Sequence, residues 1–380
     1  MKIVTIIGAR PQIIKAAAIS RAIRNDFAGS IKEIIVHTGQ HYDENMSQVF
    51  IEQLGIPKPD YNLTAGSGSH GEQTAKMLAG IEKIILDTKP NAVVVYGDTN
   101  STAAGGLAAS KLHIPLVHIE AGLRSFNKSM PEEINRILCD HMSTLLFSPT
   151  KEGIKNLEKE GFKMNNVAPY TIDNPKVYHC GDVMYDNSLY FSVVSDKNSE
   201  ILKNIGIEKN NFILLTAHRP SNTDDQRSLT NIMEALLELS EKSSQPVVFP
   251  VHPRTKKQMD ALLPSTVNDK IVKRFKLIPP CSFLDMIALE KNASMVITDS
   301  GGVQKEAFFF KKPCLILREE TEWVEIVKNG NADLCGADSK KIISSYLRLA
   351  SKATSMTYPD FYGDGKSATF ICSEILKNLG

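Results

Sequence analysis

Met295-Val296-Ile297-Thr298-Asp299-Ser300-Gly301-Gly302-Val303-Gln304-Lys305-Glu306 is the stretch on which the reading of this chain turns. Met295 to Ile297 is a short apolar run of the kind that forms a buried strand. A polar turn with two glycines follows at once, and then residues able to open a helix. Such a strand–loop–helix junction offers backbone N–H groups at the helix N-terminus. With a hydroxyl on Ser300 and no Cβ on Gly301 or Gly302, it suits a phosphate. Glu306, about one turn into the helix, directs a carboxylate back toward the same ligand, where it can hold two ribose hydroxyls. Phosphate plus a diol is a nucleotide, so the segment points to a nucleotide or nucleotide-sugar site. The plainer alternative is a glycine-rich connector of an α/β domain.

Outward from this junction the same alternation continues. Apolar runs at Ile3–Ile7, Ile34–His37, Ala92–Tyr96, Leu116–Ile119 and Leu145–Ser148 read as buried parallel strands. Amphipathic stretches at Pro11–Arg24, Asp43–Leu54 and Glu72–Asp87 lie between them. A second set follows: Val177–Cys180, Phe212–Thr216, Val247–Val251, Leu277–Pro279, Met295–Thr298 and Cys314–Leu317, with helices expected over Ser228–Leu239 and Ser339–Leu349, the latter capped by Asp338. The polar segment Glu160–Lys176 separates the sets. The expected fold is therefore α/β, with two Rossmann-like, doubly wound parallel-sheet domains, 1–170 and 176–362, and a cleft between them.

The chain has 380 residues and a formal net charge of +1, so bulk electrostatics gives no pull toward nucleic acid or an anionic membrane. No apolar run has the length of a transmembrane helix, and the N-terminus does not read as a signal peptide. None of the six cysteines forms a C-x-x-C pair, and they read as reduced residues of a cytoplasmic protein. The histidines lack metal-ligand spacing, so no metal is expected.

The polar residues of interest fall just after strand candidates. Arg10 follows strand one, although Pro11 suits a first helical position with or without a ligand. Asp98 follows Val93 to Gly97; it is either a functional carboxylate or an N-cap, a job Thr99 or Ser101 can do equally. Glu120 ends an apolar strand, where desolvation raises a carboxylate toward the range useful to a base. Glu132 and Glu133 follow Pro131, where acidic residues also satisfy the helix dipole, Glu133 more so. His218 and Arg219 follow the run Phe212–Ala217, where the pair can bind and protonate a phosphate leaving group, the plainer alternative being a core histidine. Arg318 holds a phosphate or pairs with the acidic residues after it.

In chain order, Gly8-Ala9-Arg10-Pro11-Gln12-Ile13-Ile14-Lys15, His37-Thr38-Gly39-Gln40-His41, Gly97-Asp98-Thr99, His118-Ile119-Glu120-Ala121-Gly122-Leu123-Arg124, Pro131-Glu132-Glu133-Ile134-Asn135-Arg136 and Thr298-Asp299-Ser300-Gly301-Gly302 together resemble the non-hydrolysing UDP-N-acetylglucosamine 2-epimerases. The resemblance covers nearly the whole chain, ending at Tyr362-Gly363-Asp364-Gly365-Lys366. It implies a glycosyltransferase-B-like fold whose C-terminal helix, about 363–380, packs back on the first domain. It also implies a homodimer, a UDP-sugar substrate, and no metal or other cofactor. Its implied reaction inverts C2 of UDP-N-acetylglucosamine to give UDP-N-acetylmannosamine, by eliminating UDP to a 2-acetamidoglucal and adding it back.

By motif position Asp98, Glu120 and Glu132 match the family's functional carboxylates and His218 its leaving-group histidine. Arg10, Ser300, Gly301, Gly302, Glu306 and Arg318 match its UDP contacts, and Lys15 and Arg136 complete the substrate-binding set. Where the family commonly has Gly-His-Arg-Arg-Glu, this chain has Ala217-His218-Arg219-Pro220-Ser221, and Trp323 follows Glu322 in place of Arg-Pro. These departures resemble a subgroup acting on UDP-2,3-diacetamido-2,3-dideoxy-glucuronic acid. Gln40 and His41 match a region where some bacterial members bind activating substrate, but Asp43 departs from it. A glycosyltransferase of the same fold, a hydrolysing relative and an idle nucleotide-sugar binder are the competing readings; the several cleft carboxylates favour the epimerase.

Overall fold

The computed structural model describes residues 1–39 and 55–380. The helix expected over Asp43–Leu54, with Gln40, His41 and Asp43, lies outside the described residues. The chain divides into two compact units, one of Met1–Asn187 with Asp360–Gly380, the other of Ser188–Pro359.

In the first unit, β1 (Lys2–Ile7), β2 (Lys32–His37), β3 (Tyr61–Asn62), β4 (Ala92–Tyr96), β5 (Leu116–Ile119), β6 (Leu145–Ser148) and β7 (Lys176–His179) form one sheet. Its order is β3-β2-β1-β4-β5-β6-β7, and the ladders are parallel. Val93, Val94 and Val95 are all fully buried, as a parallel strand covered on both faces requires. The order reverses direction between β1 and β4. The turns after those strands, Gly8–Arg10 and Gly97–Asp98, therefore stand at the switch point where doubly wound sheets bind ligands.

Helix starts follow from local chemistry. Thr99 is the N-cap of the helix Asn100–Lys111 and accepts from the Thr102 N–H, so the capping job does not fall to Asp98. Gln12 ties the first turn down: its Oε1 accepts from the N–H of Gly8 (2.9 Å) and Ala9 (3.1 Å), while its Nε2 donates to the Tyr96 carbonyl. The helix Ser367–Leu379 packs on the helix Arg10–Asp26, and the Asp186 carboxylate accepts from its first N–H groups, Ser367 and Ala368.

In the second unit, β8 (Ile213–Thr216), β9 (Val247–Pro250), β10 (Phe275–Ile278), β11 (Met295–Thr298), β12 (Cys314–Ile316) and β13 (Ala332–Leu334) form a parallel sheet ordered β10-β9-β8-β11-β12-β13. Its switch point lies between β8 and β11, beside the turns Ala217–Arg219 and Asp299–Gly302. Asp338 caps the helix Ser339–Lys352, accepting from Lys340 and Lys341.

Two differences from the sequence reading stand out. The run Val177–Cys180, grouped there with the second set, pairs with β6 and forms the edge of the first sheet; the polar segment before it is a return loop to that edge. β3 and β13 were not foreseen, because strands of two and three residues carry no readable alternation. Among the described residues, no helix is long and apolar enough to cross a membrane.

Candidate active site

The first unit gathers charge at its switch point. Lys15, on the buried face of the helix Arg10–Asp26, places Nζ 2.6 Å from Glu120 Oε1, with both side chains 10% exposed. Arg136, on the helix Pro131–Met142, donates from one Nη to Asp98 (2.5 Å) and from the other to Glu133 (2.9 Å). Asn135 holds the Asp98 backbone through its carbonyl. Burial pushes the Asp98 carboxyl above its usual range; Arg136 and then Lys15 pull it back, and Glu120 adds to the rise. Asp98 and Glu120 thus form an electrostatically coupled carboxylate pair clamped by two cations.

The backbone supports this arrangement. Gly97 takes φ +61°, and a Cβ there would stand 3.0 Å from Lys15 Nζ and 3.4 Å from Glu120 Oε1. Glu120 itself has φ +75°, a left-handed conformation that costs a non-glycine residue about 1–3 kcal/mol and persists only where neighbours impose it. Here the N–H groups of Glu120 and Ala121 both donate to the Phe147 carbonyl at 3.0 Å. Arg10 stands exposed at the start of its helix.

Glu132 is exposed on the first turn of the helix Pro131–Met142, whereas Glu133 is buried. The Glu133 carboxylate accepts from Ser125 N, Ser125 Oγ and Phe126 N as well as from Arg136. Those bonds hold its carboxyl below the usual range although burial alone would raise it. Glu133, read from sequence as a dipole partner, therefore also anchors the loop Ser125–Met130 to the cation that holds Asp98. Only its three-residue spacing to Arg136 on one helix face gave a sign of this.

The second unit gathers polar groups around the glycine-bearing start of the helix Gly301–Phe309. Ser300 is the N-cap of the helix Gly301–Phe309 without capping it by its side chain. A Cβ on Gly301 would lie 3.8 Å from Arg318 Nη1, and one on Gly302 would lie 3.9 Å from Glu306 Oε2. A cation and a carboxylate thus stand over adjoining bare peptides, as a phosphate-plus-diol ligand demands. Arg318 makes two 3.1 Å bonds to Glu322. Lys305 Nζ lies 3.9 Å from the centre of the Trp323 ring, whose Nε1 donates to the Gly301 carbonyl.

His218 is the exposed member of this group, its side chain 56% accessible. Its Nδ1 lies 3.2 Å from Asp299 Oδ1, which turns Nε2 outward. Asp299 is fully buried and accepts from the N–H of His218 and Arg219 and from Asn222 Nδ2. Burial alone would raise its carboxyl, but His218 and the Arg219 N–H outweigh that and hold it low. Asp299 and Asn222 were not assigned a role from sequence. Asp299 sits between the β11 strand and the glycines, a position that signalled the motif without its purpose. Beside His218 a cavity of about 300 Å³ is lined by Thr216, Ala217, Pro250, His252, Arg254 and Thr255.

Two parallel sheets, each with polar residues at its switch point, define an α/β protein of the glycosyltransferase-B-like fold. The chain belongs to the UDP-N-acetylglucosamine 2-epimerase family, whose model matches residues 23–376. It is 48% identical, over the full length of both chains, to a UDP-N-acetylglucosamine 2-epimerase homolog of Methanococcus maripaludis. It is also 48% identical to the UDP-2,3-diacetamido-2,3-dideoxy-D-glucuronate 2-epimerase of Pseudomonas aeruginosa, covering 99% of this chain and 100% of that protein. The crystal structure of Methanocaldococcus jannaschii UDP-GlcNAc 2-epimerase in complex with UDP-GlcNAc and UDP matches 99% of this chain and 100% of its own, at 41% identity and a TM-score of 0.85.

Proposed function

We propose that this protein inverts C2 of a UDP-linked 2-acetamido sugar, by elimination of UDP and its re-addition. The C2 proton of an ordinary sugar is barely acidic. Departure of UDP builds oxocarbenium character at C1 and acidifies C2. The C1–O electron pair leaves with UDP, a carboxylate takes the C2 proton, and a C1=C2 double bond forms. Re-addition puts a proton on the opposite face and UDP back on C1.

The reaction needs two kinds of help, and the chain carries both. Charge on the departing diphosphate is met by Arg318, by the N–H groups at Gly301 and Gly302, and by His218, while Glu306 holds the ribose; Arg10 adds a further cation. Proton transfer at C2 falls to Asp98 and Glu120, held by Arg136 and Lys15, with burial raising the Asp98 carboxyl toward the range useful to an acid or base. Glu132, exposed at its helix start, supplies a further carboxylate to the sugar. The observation that carries the reading is the Lys15–Glu120, Asp98–Arg136 clamp: a transferase needs no coupled pair of carboxylates for C2. The enzyme works in the cytoplasm, a reading that rests on its reduced cysteines, and as a homodimer without a cofactor, readings that rest on the family.

The sugar is UDP-N-acetylglucosamine or its 2,3-diacetamido uronate counterpart; the Trp323 position and the equal identity to the uronate enzyme favour testing both. Purified protein is incubated with each substrate and followed by proton NMR. The expected product is the UDP-linked C2 epimer of one of them. Free N-acetylmannosamine, or no change in either, contradicts the proposal.

A further inference from the structure

Beneath the two carboxylate-bearing loops runs a buried chain of charge that the reaction as written does not use. His118 is the third residue of β5 and Asp140 lies on the helix Pro131–Met142; both are fully buried. His118 Nε2 is 2.8 Å from the Gly97 carbonyl, and its Nδ1 is 2.7 Å from Asp140 Oδ1. Asp140 Oδ2 accepts from the Gly122 N–H at 3.1 Å and pairs with Arg124 at 2.7 Å. Arg124 continues to Glu160, which His141 also faces at 3.7 Å.

The proton count follows from the partners. A carbonyl oxygen only accepts, so Nε2 carries a hydrogen. Asp140 has a guanidinium and a peptide N–H on its other oxygen. Burial alone would raise its carboxyl, but His118 and Arg124 outweigh that and hold it below its usual range. The other ring nitrogen, Nδ1, faces the Asp140 carboxylate, so each ring nitrogen of His118 is engaged by an oxygen from a different part of the chain.

We propose that His118 is a positioning residue: its ring, with Asp140, locks the Gly97–Asp98 turn to the Glu120–Gly122 turn and so fixes the spacing of the two carboxylates. The link runs from the Gly97 carbonyl to Nε2, from Nδ1 to Asp140, and from Asp140 to the Gly122 N–H. It crosses from the end of β4 to the residue two past Glu120. The same two turns hold the left-handed backbone of Gly97 and the strained φ of Glu120, so a slackened link lets Asp98 and Glu120 drift apart. This inference rests on the assignment of those carboxylates to C2 proton transfer.

The test has two arms. In wild-type protein labelled with 13C and 15N, couplings across the hydrogen bonds are expected from His118 Nε2 to the Gly97 carbonyl carbon and from Nδ1 to the Asp140 carboxyl carbon. Absence of either coupling overturns the proposal without touching the proposed reaction. In the second arm, His118→Gln keeps a donor toward Gly97 and His118→Asn keeps one toward Asp140, but neither spans both. Each is expected to slow exchange of the C2 proton about 100-fold with KM changed less than about threefold, the signature of misplaced reacting groups. Exchange at the wild-type rate in either folded variant overturns it. Should both variants fail to fold, the wild-type NMR arm still decides.

Discussion

Arg136→Met tests the carboxylate clamp where it is most heavily built. The guanidinium makes a 2.5 Å bond to Asp98 and a 2.9 Å bond to Glu133, with its own side chain 8% exposed. Glu133 keeps its three bonds to Ser125 and Phe126 after the change, so the loss falls mainly on Asp98. A hydrogen bond to a charged group contributes about 1.5–3 kcal/mol. If the Asp98 bond is felt in full at the transition state, the exchange rate falls about 10- to 150-fold. The pH profile moves as well. Arg136 is the largest influence opposing burial at Asp98, so its removal lets the carboxyl rise further. Whether Asp98 serves as base, setting the acid limb, or as acid, setting the alkaline limb, the limb it controls moves to higher pH. The assay is deuterium uptake at C2 of the UDP-sugar in D2O, measured at saturating substrate across pH, with Arg136→Lys as the charge-retaining control. A rate within threefold of wild type and an unmoved profile would refute the argument.

Further expectations follow from other sites. Asp299→Asn puts an amide N–H among donors that all point inward; it should lower stability by about 1–3 kcal/mol in urea unfolding, and wild-type stability would refute the hub role. Gly97→Ala forces a side chain into φ +61° and against Lys15 and Glu120; it should cost about 1–2 kcal/mol and depress C2 exchange while UDP affinity, measured by calorimetry, holds. Loss of UDP binding with exchange intact would reverse the division of labour. Burial pushes the Glu290 carboxyl well above its ordinary range, with Glu306 adding to the rise. Its folded pKa then exceeds the unfolded value of about 4.3, so its contribution to stability is complete below that pH and is lost as pH rises through the folded pKa. Glu290→Gln lacks this decline, so its melting temperature should gain on wild type as pH rises; parallel curves would refute the assignment.

The strands that position the site were legible because a buried parallel strand is a continuous apolar run, as in Ala92–Tyr96 and Met295–Thr298. The residues after those strands were legible because polar groups at such strand ends stand out against the apolar run. What stayed hidden was support arriving from far along the chain. Asp140 sits on a helix with the look of an ordinary surface-facing acid, and only the packing of that helix on β5 turns it toward His118. Glu133 and Gln12 were hidden for the same reason: each is a plausible helix-start residue, and its partners include one well outside its own helix, Ser125 for Glu133 and Thr102 for Gln12. β7 was misgrouped because a strand's sequence records its burial and not its neighbour.

The central claim is that the bond between C1 and UDP breaks while the protein keeps both halves. The most direct measurement places 18O in the oxygen bridging C1 and the β-phosphorus and follows its position by 31P NMR as C2 takes up deuterium. Free rotation of the released β-phosphate should carry the label into the non-bridging positions in step with C2 exchange, with no free sugar accumulating. C2 exchange with the label still bridging would mean the proton leaves without C–O cleavage and would contradict the account.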